Sequence, residues 1–234
     1  MNKDVSIIHF PGSNCDRDLA VAIKCCLKLK PKFLWHKESH IKDPGVIFIP
    51  GGFSFGDYLR AGILATKSPA IREVIRHAKK GVPIIGICNG FQILTECKLL
   101  DGALIKNSSQ LFSCKKVFLK IESKKSYFTK NIKKNIVEYP IAHSQGKFYI
   151  DEYNLKKLQD NEQITFKYSS KTGDISNKYN PNGSIQNIAG IVNKNKNVLG
   201  LMPHPERAID KFSSEDGISF FKGLSGVIWV WKRG

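Results

Sequence analysis

The first hundred residues alternate short apolar runs with stretches of helical period, and few folds accept that pattern. Residues 5–10 form a β-branched run stopped by Pro11-Gly12. Leu19, Ala20, Ile23, Cys26 and Leu27 then recur at helical spacing across residues 16–29. Residues 33–35 and 46–49 read as strands, the latter ended by Pro50-Gly51-Gly52. Ser68 and Pro69 read as the cap and first residue of a helix reaching about Lys80, with Gly81 as its stop. Residues 83–87 are apolar on both faces, and a helix follows over 89–98. Strands apolar on both faces, each followed by a helix, imply a parallel sheet between two helical layers.

The character changes beyond residue 100. Residues 117–121, 136–139 and 164–168 are strand-like with turn signals between them, and Asn180-Pro181-Asn182-Gly183 is a strong turn. Strands return at 188–192 and 198–201, and a short helix is expected after Ser214. With no repeat and no low-complexity linker, residues 1–234 read as a single α/β domain with additional antiparallel strands.

Composition removes several functions. The longest apolar runs, 46–50 and 82–87, fall far short of the roughly 20 residues a bilayer span needs. The N-terminus enters the first strand without the apolar core of a signal peptide. The six cysteines form no CxxC pair, and Cys25 and Cys26 are adjacent. That suits free thiols in a reducing cytoplasm, with no disulfide framework and no metal site. Thirty-seven Lys and Arg against 20 Asp and Glu give a net charge of +17, but the lysines are dispersed. Even the dense stretch 115–134 carries no nucleic-acid motif, so it reads as a solvated face, with docking of an acidic partner as the alternative. Neither G-x-x-x-x-G-K-[ST] nor G-x-G-x-x-G occurs, so no nucleotide is expected on this chain by those means.

Three segments carry chemistry. Gly86-Ile87-Cys88-Asn89-Gly90 sits where a buried strand meets a helix and has the form of a nucleophile elbow with cysteine at its apex. Such a turn needs small residues two positions either side, lifts the side chain out at the strand's carboxyl end, and points the helix N-terminus at the sulfur. The Asn89 amide is then placed to stabilise an oxyanion. Met202-Pro203-His204-Pro205-Glu206 supplies a base and its orienter, because residues two apart in an extended chain point the same way. Pro50-Gly51-Gly52 ends a strand with exposed amides, and that of Gly52 is the second oxyanion donor. All three lie at strand carboxyl ends, where open α/β sheets bind ligands. His143 is the rival base, and Cys15 ranks behind Cys88 because it has no glycine elbow.

Pro50-Gly51-Gly52, Gly86-x-Cys88-x-Gly90 and His204-Pro205-Glu206 together resemble the class I (triad) glutamine amidotransferases. Residues 10–16, 50–62, 88–92 and 180–191 are similar to one branch of that family, the glutaminase subunits of purine biosynthesis. The likeness runs from about Ser6 to Arg207. It implies a Rossmann-like three-layer sandwich with a mostly parallel central sheet and additional antiparallel strands. It also implies glutamine hydrolysis through a γ-glutamyl thioester, with Cys88 as nucleophile, His204 as base and Glu206 as its orienter. Gly52 and Asn89 would form the oxyanion hole, Gln92 would help bind L-glutamine, and 107–112 would border its pocket. The partners implied are a separate synthetase subunit, which would use ATP and Mg, and a small third subunit. One departure is Gln145, where the family usually has Glu, and the tail at 228–231 is not explained by the likeness. The alternatives are a glutaminase for another acceptor, a stand-alone γ-glutamyl hydrolase, and a non-enzymatic basic binding module. The cysteine-containing chaperone/deglycase family lacks a His-Pro-Glu segment of this kind.

Overall fold

The computed structural model describes residues 4–226; the tail at 228–231 lies outside them. Strands β1 (Asp4–His9), β2 (Lys32–Trp35), β3 (Pro44–Ile49), β4 (Ile84–Ile87) and β11 (Val198–Leu201) pair in parallel, in the order β2-β1-β3-β4-β11. Every residue of β3, β4 and β11 is buried, as their two-faced apolar sequence requires. Strands β10 (Ile188–Val192), β9 (Ile164–Ser169), β6 (Ser113–Ile121) and β7 (Ile136–His143) extend the sheet from β11, each antiparallel to its neighbour. The result is one nine-stranded sheet.

Helix α1 (Asp16–Leu27) carries the chain from β1 outward to β2, and α2 (Pro69–Lys79) carries it from β3 in the opposite direction to β4. Right-handed crossovers in opposite directions put the two helices on opposite faces of the sheet. Helix α5 (Asp216–Gly223) packs beside α1, whereas α3 (Asn89–Glu96) lies over β3, β4 and β11. The direction of winding reverses between β1 and β3, and the crevice beyond their carboxyl ends is where such a sheet takes its ligand.

Three elements have no counterpart in the sequence reading. Strands β5 (Ala103–Ile105) and β8 (Lys147–Tyr149) form a separate antiparallel pair, and each is too short to show a period. Helix α4 (Glu152–Asp160) is mostly polar; its legible signal is Asp151, whose side chain accepts a bond from the Asn154 amide at 3.0 Å.

Beneath the sheet's other end, a buried asparagine ties α2 to the start of β11. The Asn197 side chain donates to the carbonyls of Ala78 at 2.8 Å and Val82 at 3.1 Å. Asn197→Ala leaves both carbonyls buried without that donor. It is expected to cost about 1–3 kcal/mol in urea denaturation.

Candidate active site

Cys88 occupies the turn between β4 and α3 with φ 51° and ψ −104°, a conformation costly for a residue with a Cβ. The neighbouring packing imposes it. A Cβ on Gly90 would run into the carbonyl of Ile49, and one on Gly86 would lie 2.6 Å from the Gly90 carbonyl. The two glycines therefore let the start of α3 press against the ends of β3 and β4. The Cys88 amide donates to Leu201 at 2.7 Å, fixing the elbow to β11 as well.

His204 and Glu206 follow β11. Their amide and side-chain bonds set them in place: the His204 N–H donates to the Pro140 carbonyl at 2.8 Å, and Nδ1 meets Glu206 Oε1 at 2.6 Å. Both side chains are 1% exposed. Burial opposes a charge on His204, but the Glu206 carboxylate and the nearby Cys88 sulfur outweigh it and raise its pKa well above the ordinary histidine range. The bond at Nδ1 leaves Nε2 as the nitrogen that can exchange a proton, and it is buried without a hydrogen-bond partner. The Cys88 thiol itself points to the Ala142 carbonyl at 3.8 Å. Such loose contacts are usual before substrate binds.

Gly52 packs where no side chain fits: a Cβ there would lie 2.7 Å from both the Asn14 amide and the Gly12 carbonyl. Among the described residues, neither the Gly52 nor the Asn89 amide is hydrogen-bonded to an acceptor. Asn89 also works through its side chain, accepting from the Ser54 amide at 3.1 Å and donating to Gln92 Oε1 at 2.8 Å. Gln92 in turn donates to the Gln145 carbonyl at 2.7 Å. That contact uses the main chain, so the replacement of Glu by Gln at 145 leaves it intact.

The glycine-punctuated segment after Gly52 is better anchored than its composition suggests. The amides of Phe53, Ser54, Phe55 and Gly56 donate to Gly12, Asn89, Pro11 and Phe53 respectively. The strain lies further on, where Phe55, Asp57 and Leu59 all adopt left-handed φ values of 54°, 55° and 67°. Burial pushes the Asp57 carboxyl up to about 6.

The rival residues are occupied elsewhere. Burial and the Glu206 charge push the Cys15 thiol up to about 12 despite Arg207, whose guanidinium lies 3.2 Å from its sulfur. Cys15 is thus a poor nucleophile at neutral pH. Cys15, His204 and Glu206 offer ligand atoms within 4.8 Å of one another. But His204 and Glu206 are bound to each other, and Arg207 places a fixed positive charge where a cation would need to sit. His143 is buried, bonded through Nδ1 to Asn107 at 3.2 Å, and lowered to about 4 by burial and by the charge of His204. His36 and His77 are buried and bound to Ser68 and the Ile41 carbonyl respectively.

A strained cysteine elbow, a buried His–Glu pair and two free amides at one sheet crevice define a cysteine-dependent amide hydrolase site. Residues 2–217 match the family described as the CobB/CobQ-like glutamine amidotransferase domain, and the chain belongs to that family. It is 48% identical over 220 residues to the phosphoribosylformylglycinamidine synthase subunit PurQ of Pelagibacter ubique, covering 94% of this chain and 96% of that one. It is also 48% identical over 217 residues to the PurQ subunit of a Synechocystis species, covering 92% and 97%. A solved structure of PurLQS from Thermotoga maritima includes a chain 37% identical to this one. That chain superposes with a TM-score of 0.84, covering 97% of this chain and 99% of its own.

The His204–Glu206 pair makes stability depend on pH. Its folded pKa is raised above the ordinary 6.5, toward about 10, so its contribution is full below pH 6.5 and fades as pH rises through the alkaline range. Glu206→Gln removes the raising charge. Urea midpoints measured from pH 6 to 10 are expected to fall less steeply in that variant than in the wild type.

Proposed function

We propose that this chain is the glutaminase subunit of a phosphoribosylformylglycinamidine synthase, acting on L-glutamine in the cytoplasm. The observation that carries the reading is the elbow cysteine beside a buried His204–Glu206 pair, in a chain similar to PurQ subunits over nearly its full length. No helix among the described residues is long and apolar enough to cross a membrane.

In this reading Cys88 sulfur attacks the glutamine γ-carboxamide carbon, and the oxygen takes the negative charge. The Gly52 and Asn89 amides donate to that oxygen. His204, protonated at Nε2 and steadied by Glu206, gives its proton to the departing nitrogen as the carbon–nitrogen bond breaks. Ammonia leaves and a γ-glutamyl thioester remains on Cys88. His204, now neutral, accepts a proton from water as the water attacks the thioester. Glutamate leaves, with Cys88 again a thiolate and His204 again protonated at Nε2, the pair that began the cycle.

The ammonia serves a synthetase subunit that binds ATP with Mg and formylglycinamide ribonucleotide; a small third subunit completes the complex. Support for docking comes from exposed apolar side chains beside the site. Leu59 is 88% and Leu111 69% exposed, with Tyr58 and Phe112 next to them in sequence. The strained segment at 55–59 follows Gly52, so a partner bound there can adjust the oxyanion donor by favouring one arrangement.

Cys88→Ser is expected to abolish glutamine-dependent synthesis by the complex while leaving synthesis from ammonium intact. Cys15→Ser retains the glutamine reaction. His204→Ala loses on the order of 10² or more in glutaminase rate. Full glutamine activity in Cys88→Ser defeats the reading. Adding the synthetase and its substrates to the purified chain is expected to raise glutamate release by about tenfold or more, equivalent to about 1.4 kcal/mol of barrier. A lone chain already at the complexed rate points to a stand-alone hydrolase instead.

A further inference from the structure

Behind the crevice lies a buried polar network that the reaction just described does not use. Its centre is the backbone of Gly146, in the turn between β7 and β8. The Gly146 amide donates to Asn107 Oδ1 at 3.0 Å, and its carbonyl accepts from Asn182 Nδ2 at 2.8 Å. Asn107 comes from the loop after β5, and Asn182 from the Asn-Pro-Asn-Gly turn before β10. Both are buried, at 0% and 2% exposure.

Asn107 has little freedom. Its Nδ2 donates to the carbonyls of His143 and Leu111, each at 2.9 Å, and its own amide donates to Ser144 at 2.8 Å. Its Oδ1 also faces His143 Nδ1, which fixes the proton on that nitrogen of the neutral ring. Asn182 is held likewise: its Oδ1 accepts from the Ser184 amide at 3.1 Å and hydroxyl at 2.8 Å. Two rigid amides thus grip the two peptides that flank one Cα, that of Gly146. Gly146 cannot carry a side chain, because a Cβ would run into the His143 ring.

The end of β7 and the gripped turn meet the crevice through main-chain carbonyls. Ala142 presents its oxygen to the Cys88 thiol, and Gln145 presents its own to Gln92, which orients Asn89. A side chain that shifts this turn therefore moves three groups at the crevice without touching substrate.

We infer that Asn107 and Asn182 are positioning residues for the glutaminase reaction, acting jointly through the backbone on either side of Gly146 to aim the Ala142 and Gln145 carbonyls. The inference rests on the glutaminase reading above. Losing either grip frees the same turn, so the two effects overlap instead of multiplying.

The test uses the full chain reconstituted with its synthetase subunit. Asn107→Ala and Asn182→Ala are each expected to lower kcat/KM for glutamine by about tenfold, and the double variant by little more than one of them. Alkylation of Cys88 by iodoacetamide, measured without substrate, slows in parallel. Synthesis from ammonium by the same complexes stays unchanged, which a loss of folding or docking would not allow. Single variants within about twofold of wild type for glutamine, or losses that multiply in the double variant, overturn the inference. If Asn107→Ala does not fold, Asn107→Ser combined with Asn182→Ala makes the same comparison. A wild-type complex that uses ammonium but not glutamine sinks the glutaminase reading itself. A wild type that uses glutamine, matched by its variants, sinks only the role of the two asparagines.

Discussion

The arrangement of the crevice depends on the contact between Gly90 and the last carbonyl of β3. No side chain fits between the Gly90 Cα and Ile49, so α3 begins hard against the end of the neighbouring strand. That closeness puts the Asn89 amide on the same side of the sheet as Gly52, three residues beyond Ile49. It also forces Cys88 into its left-handed φ, a cost the surrounding sheet repays through fully buried β3, β4 and β11. A methyl group at Gly90 would separate helix from strand, drawing Cys88 and the Asn89 amide away from Gly52.

The antiparallel half of the sheet has a different task. β11 is shared: it pairs in parallel with β4 and antiparallel with β10. The elbow hangs from its last residue through the Cys88–Leu201 bond, and His204 leaves it to bond Pro140 on the far strand β7. Nucleophile and base are therefore referenced to the same strand end. Glu206, two residues further on, is brought under the ring by the extended backbone at Pro203 and the single turn at 205–207.

Much of this was legible in the residues. The parallel strands and α1 to α3 announce themselves through two-faced apolar runs, glycine stops and the Ser68-Pro69 cap, all local signals. The turn at Cys88 and the pairing of His204 with Glu206 were legible from short-range spacing, though the carboxylate reaches the ring through the single turn at Pro205–Arg207 and not through the extended chain expected there. The buried bonds of Asn107, Asn182 and His143 were not. Their partners lie tens of residues away and are mostly main-chain carbonyls, which leave no mark in composition or period. β5 and β8 were missed for the same reason, since three residues cannot display alternation. The anchoring of the segment after Gly52 is likewise unmarked in the residues: its amides find acceptors in the Gly12 loop and on Asn89.

The carbonyl of Ala142 faces the thiol, that of Gln145 holds Gln92, and that of Pro140 tethers His204. A peptide oxygen is the same whichever side chain its residue bears. These three positions can therefore drift during evolution without altering what the nucleophile meets, provided the strand and turn keep their course. Substitution costs most at the few positions where a side chain is excluded or wholly committed, such as Gly90, Gly146 and Asn107. Two homologous crevices could thus differ at most of their lining residues and still present the same polar surface to glutamine.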